Sequence, residues 1–217
     1  MEKKYKLTEE TIKVYDKTLY RIEALRNFSD VKKGDKGGYI EKEENLSQNS
    51  NCWVDGNAIV YGNARVYGNA LVCGNASIYG DARVFGNARV FGNAEVYNNA
   101  IVCGNAQVCG YARIYGNAEI RGDAEIASNS DYIVFKNWWS SGRYFTWTKG
   151  NDMWKVGCFY GTGEQLIEKA YKDSEISGRE YKKVVGYVNS IKANEYNHVR
   201  KNIKERLLSK MRKLFGK

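Results

Sequence analysis

The sequence predicts a mainly β chain with a solenoid at its centre. Two observations carry that reading. From Val54 onward the chain repeats every six residues, in units that run VDGNAI, VYGNAR, VYGNAL, VCGNAS, IYGDAR and so on to IRGDAE. The lead residue is Val or Ile at thirteen successive positions, the last being Ile126. A period of six does not fit the 3.6 residues of a helical turn, but it suits a short strand followed by a corner. Within a unit the lead Val and the Ala two residues before it share one face of a strand, so both can point inward. Gly and Asn or Asp then fall at the corner. Gly takes positive φ without steric cost, and Asn tolerates the left-handed region better than most residues.

The flanking segments differ in composition. Residues 1–53 read as an N-terminal β cap. Strands over 5–15 and 18–25 surround a turn at Asp16-Lys17; Ile40 and Leu46 keep the six-residue spacing, and two extra residues precede Val54. A solenoid end exposes unpaired strand edges, so this segment is expected to pair with the first coil. Residues 54–130 form the repeat region. Residues 131–217 are expected to form an α+β unit. It would hold strands at 132–135, 144–148 and 154–160, with a hairpin turn at Lys149-Gly150-Asn151-Asp152. Thr162 with Gln165, and Ser177 with Glu180, read as capping boxes opening helices to about 172 and 193. A third helix is expected over 196–214, where Val199, Ile203, Leu207, Met211, Leu214 and Phe215 follow helical spacing.

The repeat resembles the hexapeptide-repeat left-handed parallel β-helix, in which three hexads make one triangular coil of 18 residues. Thirteen hexads would then give just over four coils, stacked at about 4.8 Å. Residues 18 apart would lie above one another, and the outward positions after each lead residue would sort into three columns. One holds Asp55, Cys73, Phe91, Cys109 and Ala127. A second holds Tyr61, Tyr79, Tyr97 and Tyr115. The third holds Tyr67, Phe85, Cys103 and Arg121.

A narrower resemblance lies in the entry segment. Ser29-Asp30-Val31-Lys32-Lys33-Gly34-Asp35-Lys36-Gly37-Gly38-Tyr39-Ile40-Glu41 is followed by Leu46-Ser47-Gln48 and Asn51-Cys52-Trp53-Val54. With the GNARV-type repeats after it, this is similar to YdcK-like hexapeptide-repeat proteins of bacteria and phages, over roughly residues 1–127. That family often carries an acetyltransferase label by fold analogy, which does not establish a reaction. Its phage setting implies action on a host macromolecular complex, such as a nucleic-acid-guided defence complex.

The chemistry the residues exclude is informative. Hexapeptide acyltransferases usually place a catalytic histidine on or beside the β-helix. This chain has one histidine, His198, outside the repeats. A metal site built from several histidines is therefore excluded within one chain. The five cysteines form no CxxC pair, which points away from a zinc ribbon or a disulfide framework. No apolar run reaches the ~18 residues of a membrane span, and the first residues lack an apolar signal core. A cytoplasmic setting is expected, with no catalytic residue, cofactor or metal. Arg121-Gly122-Asp123 spells an adhesion tripeptide, but it falls in the hexad register. Trp138, Trp139, Trp147 and Trp154 read as core of the C-terminal unit, and Cys158 as a buried strand residue.

The charge is uneven. Of the net +9, residues 200–217 carry eight Lys or Arg against Glu205, or +7. The leading expectation is a non-enzymatic β-solenoid binding or scaffold protein. Arg200, Lys201, Lys204, Arg206, Lys210, Arg212 and Lys213 would contact an acidic macromolecule, either a protein complex or nucleic acid. Its apolar stripe would dock on the body and hold the basic face outward. The Tyr61, Tyr79, Tyr97 and Tyr115 column is a second candidate interface. The alternatives are an acyltransferase using acetyl-coenzyme A and a structural homo-oligomer.

Overall fold

The computed structural model describes residues 2–215, apart from the side chains of 199 and 209–215. The chain divides into two compact units, residues 1–161 and 162–217.

The first unit opens with β1 (Tyr5–Val14) and β2 (Lys17–Ala24), paired antiparallel, and β3 (Lys36–Ile40), antiparallel to β2. Thirteen two-residue strands follow at intervals of six, from β4 (Trp53–Val54) to β16 (Glu125–Ile126). Each pairs in parallel with the strand three positions on, so the backbone register advances by 18 residues per turn. Three parallel stacks result. One continues the N-terminal strands in the order β1-β2-β3-β5-β8-β11-β14, the second runs β16-β13-β10-β7-β4, and the third β15-β12-β9-β6. Ile40 lies in register with Val60, and Leu46 bridges Val66 in parallel. The entry segment thus supplies a rung of its own, which raises the just over four coils expected from the hexads to about five.

Inward positions are filled as the pattern requires. Every lead residue from Val54 to Ile126 and every repeat Ala from Ala58 to Ala124 is buried. A narrow core of one branched and one small side chain per side leaves no room for a polar atom without a partner.

Gly and Asn divide the corner between them. The repeat glycines hold φ between 62° and 74°, and only Asn98, in a glycine's place, shares that conformation among the repeat asparagines. Asn57, Asn63, Asn69, Asn75, Asn87 and Asn105 instead donate along the stack. Asn69 Nδ2 donates to Asn87 Oδ1 (3.1 Å), Asn87 to Asn105 (3.0 Å) and Asn105 to Asp123 (2.9 Å). The amide's role is therefore a side-chain ladder with period 18, rather than tolerance of left-handed backbone.

After the solenoid, β17 (Tyr132–Lys136), β18 (Tyr144–Thr148), β19 (Met153–Val156) and β20 (Phe159–Gly161) form an antiparallel sheet. The sequence predicts one strand over 154–160. Instead the chain reverses at Gly157-Cys158, with Gly157 at φ 53°, as the first position of a type II′ hairpin turn requires. Cys158 is accordingly exposed at a turn and not buried in a strand. Trp147 and Trp154 are buried, whereas Trp138 sits in a turn and is 83% exposed, contrary to the core role expected of it. This sheet belongs to the first unit. Glu119 N donates to Thr146 Oγ1 (3.0 Å), and Tyr160 Oη donates to the Arg121 carbonyl (3.3 Å).

The second unit is a helix pair, α1 (Gly163–Asp173) and α2 (Glu175–Phe215). Thr162 caps α1 through its capping box with Gln165. Ser174 Oγ accepts from Ser177 N (3.1 Å), so the second helix opens three residues earlier than the Ser177 box suggests. Gly178 passes so close to the Tyr171 ring that a Cβ there would overlap it. The break expected between 193 and 196 is absent. Ala193-Asn194-Glu195 contains neither Gly nor Pro, and Asn costs a helix interior less than 1 kcal/mol.

Candidate binding surfaces

The tyrosine column is real. Tyr61, Tyr79, Tyr97 and Tyr115 stack with ring centroids 5.1, 4.9 and 5.5 Å apart and planes within 13° of parallel. They follow the lead residues of β5 (Ile59–Val60), β8 (Ser77–Ile78), β11 (Glu95–Val96) and β14 (Arg113–Ile114). The first three are half-buried, and Tyr115 is 50% exposed. Tyr79 Oη donates to Glu95 Oε2 (3.2 Å), and Glu95 also pairs with Arg113 (3.3 Å). Burial, then the Glu95 charge, pushes the Tyr79 hydroxyl well above its usual range.

Tyr132 lies beyond the column and donates from Oη to the Arg113 carbonyl (2.7 Å). Burial pushes its hydroxyl up to about 12, from an ordinary value of 10.0. Between those values the unfolded chain gives up the proton and the folded chain keeps it, so stability falls as pH rises through that window. Tyr132→Phe removes the titrating hydroxyl. Its alkaline unfolding midpoint should move to higher pH relative to its own neutral stability, although the lost hydrogen bond costs about 1 kcal/mol at neutral pH. An unchanged alkaline limb in pH-dependent denaturation would remove Tyr132 as its source.

On the third stack, β6 (Arg65–Val66) and β9 (Arg83–Val84) set Arg65 in register with Arg83. Both arginines are exposed, and among the described residues neither guanidinium has a hydrogen bond or ion pair. They line a cleft of about 600 Å³ with Glu43, Glu44, Ser47 and Tyr67. Tyr67 stacks on Phe85 at 4.7 Å and 6°. The sequence reading passed over these arginines because each is, alone, an ordinary outward hexad residue. The 18-residue register applied to the position before each lead residue brings them together.

The adhesion-like tripeptide is absorbed by the fold. Arg121 pairs with Glu119 (3.1 Å), Gly122 is a positive-φ corner packed under Tyr160, and Asp123 ends an asparagine ladder.

On α2, Arg200, Lys201, Lys204 and Arg206 are exposed. None of the four forms an ion pair among the described residues. The side chains of Lys210, Arg212 and Lys213, like those of Val199, Met211, Leu214 and Phe215, lie outside the described residues. Ile203 and Leu207 are 54% and 56% exposed, so the apolar stripe is not buried as the sequence suggested. Val185 and Val188 are buried, but residues 193–198 and 200–208 are exposed throughout. His198 is exposed on the same helix.

Among the described residues no cluster of three or more His, Cys, Asp or Glu could hold a metal ion. No described helix is long and apolar enough to cross a membrane. A search of curated proteins returns no match. Residues 64–80, 76–92 and 82–96 match the family described as the YdcK beta solenoid repeat. These segments are the GNARV-type hexads that build β6 through β11. With the parallel stacks around them, they make this chain a YdcK-like β-solenoid repeat protein.

Proposed function

We propose that the protein is a non-enzymatic binding module in which the terminal half of α2 grips an acidic macromolecule while the solenoid serves as a stiff platform. One observation carries this reading: a run of exposed cations on α2 with no acidic partner among the described residues. Desolvating four unpaired cations against the chain's own surface would cost stability. An external polyanion gains counterion-release free energy instead. Exposed Ile203 and Leu207 on the same helix add apolar contact area for the partner, a role that replaces the intramolecular docking expected of them. From the family resemblance alone we further infer a phage protein acting on a host complex.

The test compares two variants of the full chain with equal charge change. One carries Arg200→Glu, Lys201→Glu, Lys204→Glu and Arg206→Glu. The control carries Lys32→Glu, Lys33→Glu, Lys169→Glu and Lys182→Glu, all exposed. The probes are a labelled single-stranded oligonucleotide and a labelled polyglutamate. The helix variant should lose at least about tenfold in affinity for one of the two probes, whereas the control should keep most of it. Equal losses would reduce the effect to net charge and reject the helix as the contact.

A further inference from the structure

We infer that the cleft beside Arg65 and Arg83 is a binding site for a nucleoside phosphate. The site is independent of α2, and four features on the third stack converge on it.

The first is a pair of like charges that form no ion pair among the described residues. Strand register places the two arginines on neighbouring rungs, about 4.8 Å apart along the stack. Like charges facing each other across neighbouring strands are unfavourable. At the other end of the stack the charges are paired: Arg121, and Lys155 from β19, both pair with Glu119, at 3.1 and 3.4 Å. Of the cleft's own carboxylates, Glu43 is taken by Lys3 at 2.6 Å. Two adjacent guanidinium forks suit an oxyanion with several acceptor oxygens, the geometry in which arginine outperforms lysine.

The second feature is an open aromatic face. One face of Tyr67 is covered by Phe85. On the rung before, Ser47 holds the equivalent position. Its N–H donates to the Val66 carbonyl (2.9 Å) as the Tyr67 N–H donates to that of Val84 (3.1 Å). A serine cannot cover a tyrosine ring, so the other face of Tyr67 opens into the cleft that both residues line. A base stacked there would extend the Tyr67–Phe85 pair by one ring, and every base offers a π face.

The third is Glu44, an exposed cleft carboxylate that forms no ion pair among the described residues. A carboxylate repels a bare anion, but it accepts hydrogen bonds from a sugar diol. The fourth is size. About 600 Å³ lies within the ~300–1,000 Å³ usual for small-ligand sites. Phosphate on the arginines, ribose on Glu44 and base on Tyr67 account together for a cleft whose lining combines two arginines, two glutamates and an aromatic ring.

Isothermal titration of the full chain with AMP, GMP, CMP and UMP, alongside adenosine and inorganic phosphate, tests the assignment. At least one nucleotide should bind saturably, and both fragments should bind at least about tenfold more weakly. Arg65→Gln with Arg83→Gln should cost nucleotide affinity about tenfold or more. Tyr67→Leu should weaken nucleotide binding about tenfold while leaving phosphate binding unchanged, since a lost stack does not touch the guanidiniums. Thermal melts of each variant establish that it is folded. Three outcomes would overturn the site: no saturable binding by any nucleotide, phosphate binding as tightly as the nucleotides, or nucleotide binding that survives the arginine variants. The α2 charge variant should bind nucleotide like the wild type, which separates failure of this site from failure of the helix.

Discussion

Val90→Asp should destabilise the first unit by roughly 4 kcal/mol or more, whereas Arg89→Asp, one residue away, should change stability by only about 0.5 kcal/mol. Val90 is fully buried and lies in register between Val72 and Val108 on the neighbouring rungs. A carboxylate there has only Val, Ile and Ala side chains around it, so it must either lose its charge or open the coil. Arg89 points outward on the same two-residue strand and is exposed. Denaturant unfolding followed by circular dichroism reads both variants. Comparable stability of the two would place the inward face on the wrong residue and shift the register of the whole stack.

The second large effect falls on the entry motif. Gly37→Ala and Gly38→Ala should each cost about 2–3 kcal/mol, and more if the backbone cannot yield. A Cβ on Gly37 would sit 2.5 Å from the Val54 carbonyl oxygen and 2.6 Å from both Ile22 Cγ1 and Trp53 Cζ2. A Cβ on Gly38 would overlap the Ala58 carbonyl oxygen and come within 2.8 Å of Val54 Cγ1. Neither glycine has positive φ, so the requirement is closeness of approach and not backbone conformation. Gly34 offers the contrast. It has φ 93° but nothing within 4 Å of a Cβ, so Gly34→Ala should pay only backbone strain of about 1–2 kcal/mol. Thermal or denaturant unfolding that ranked Gly34→Ala as the most damaging would contradict this account of the motif.

Those two sites also mark what the sequence made legible. The inward Val and Ala were readable because strand alternation and a constant period leave only one face that can be buried. The tyrosine column was readable because an 18-residue turn converts spacing into stacking. Gly37-Gly38 could be quoted as a motif, but its reason was not readable, since it depends on the rung formed by Val54 to Ala58 lying against it. The hairpin at Gly157-Cys158 was missed because Trp154 to Tyr160 is apolar on both sides of one glycine, and such a run reads as a single strand. The continuity of α2 was missed for the opposite reason. Asn194 resembles a boundary, but nothing there forbids helical backbone. The Arg65–Arg83 cleft was the hardest to see. Its wall comes from residues 43–47, which a hexad count starting at Val54 leaves out.

Glu10 shows how the N-terminal strands are tied by charge. Its carboxylate pairs with Arg21 (2.6 Å) and Lys36 (2.9 Å) and accepts from Tyr39 Oη (3.1 Å), linking β1, β2 and β3. The Lys36 and Arg21 hydrogen bonds pull it down to about 2. Its contribution is present above the ordinary carboxylate value and is lost as pH falls toward 2. The group is exposed, so salt should erase most of it.

The proposal that α2 grips a polyanion is tested most directly by the affinity of the unaltered full chain for the labelled oligonucleotide across a salt series. If the four exposed cations contact phosphates, log K should fall linearly with log salt, with a slope of about −3 for a single strand. The slope should approach zero in the Arg200, Lys201, Lys204 and Arg206 variant. Tight binding with a slope near zero in the wild type, or an undiminished slope in the variant, would contradict the account.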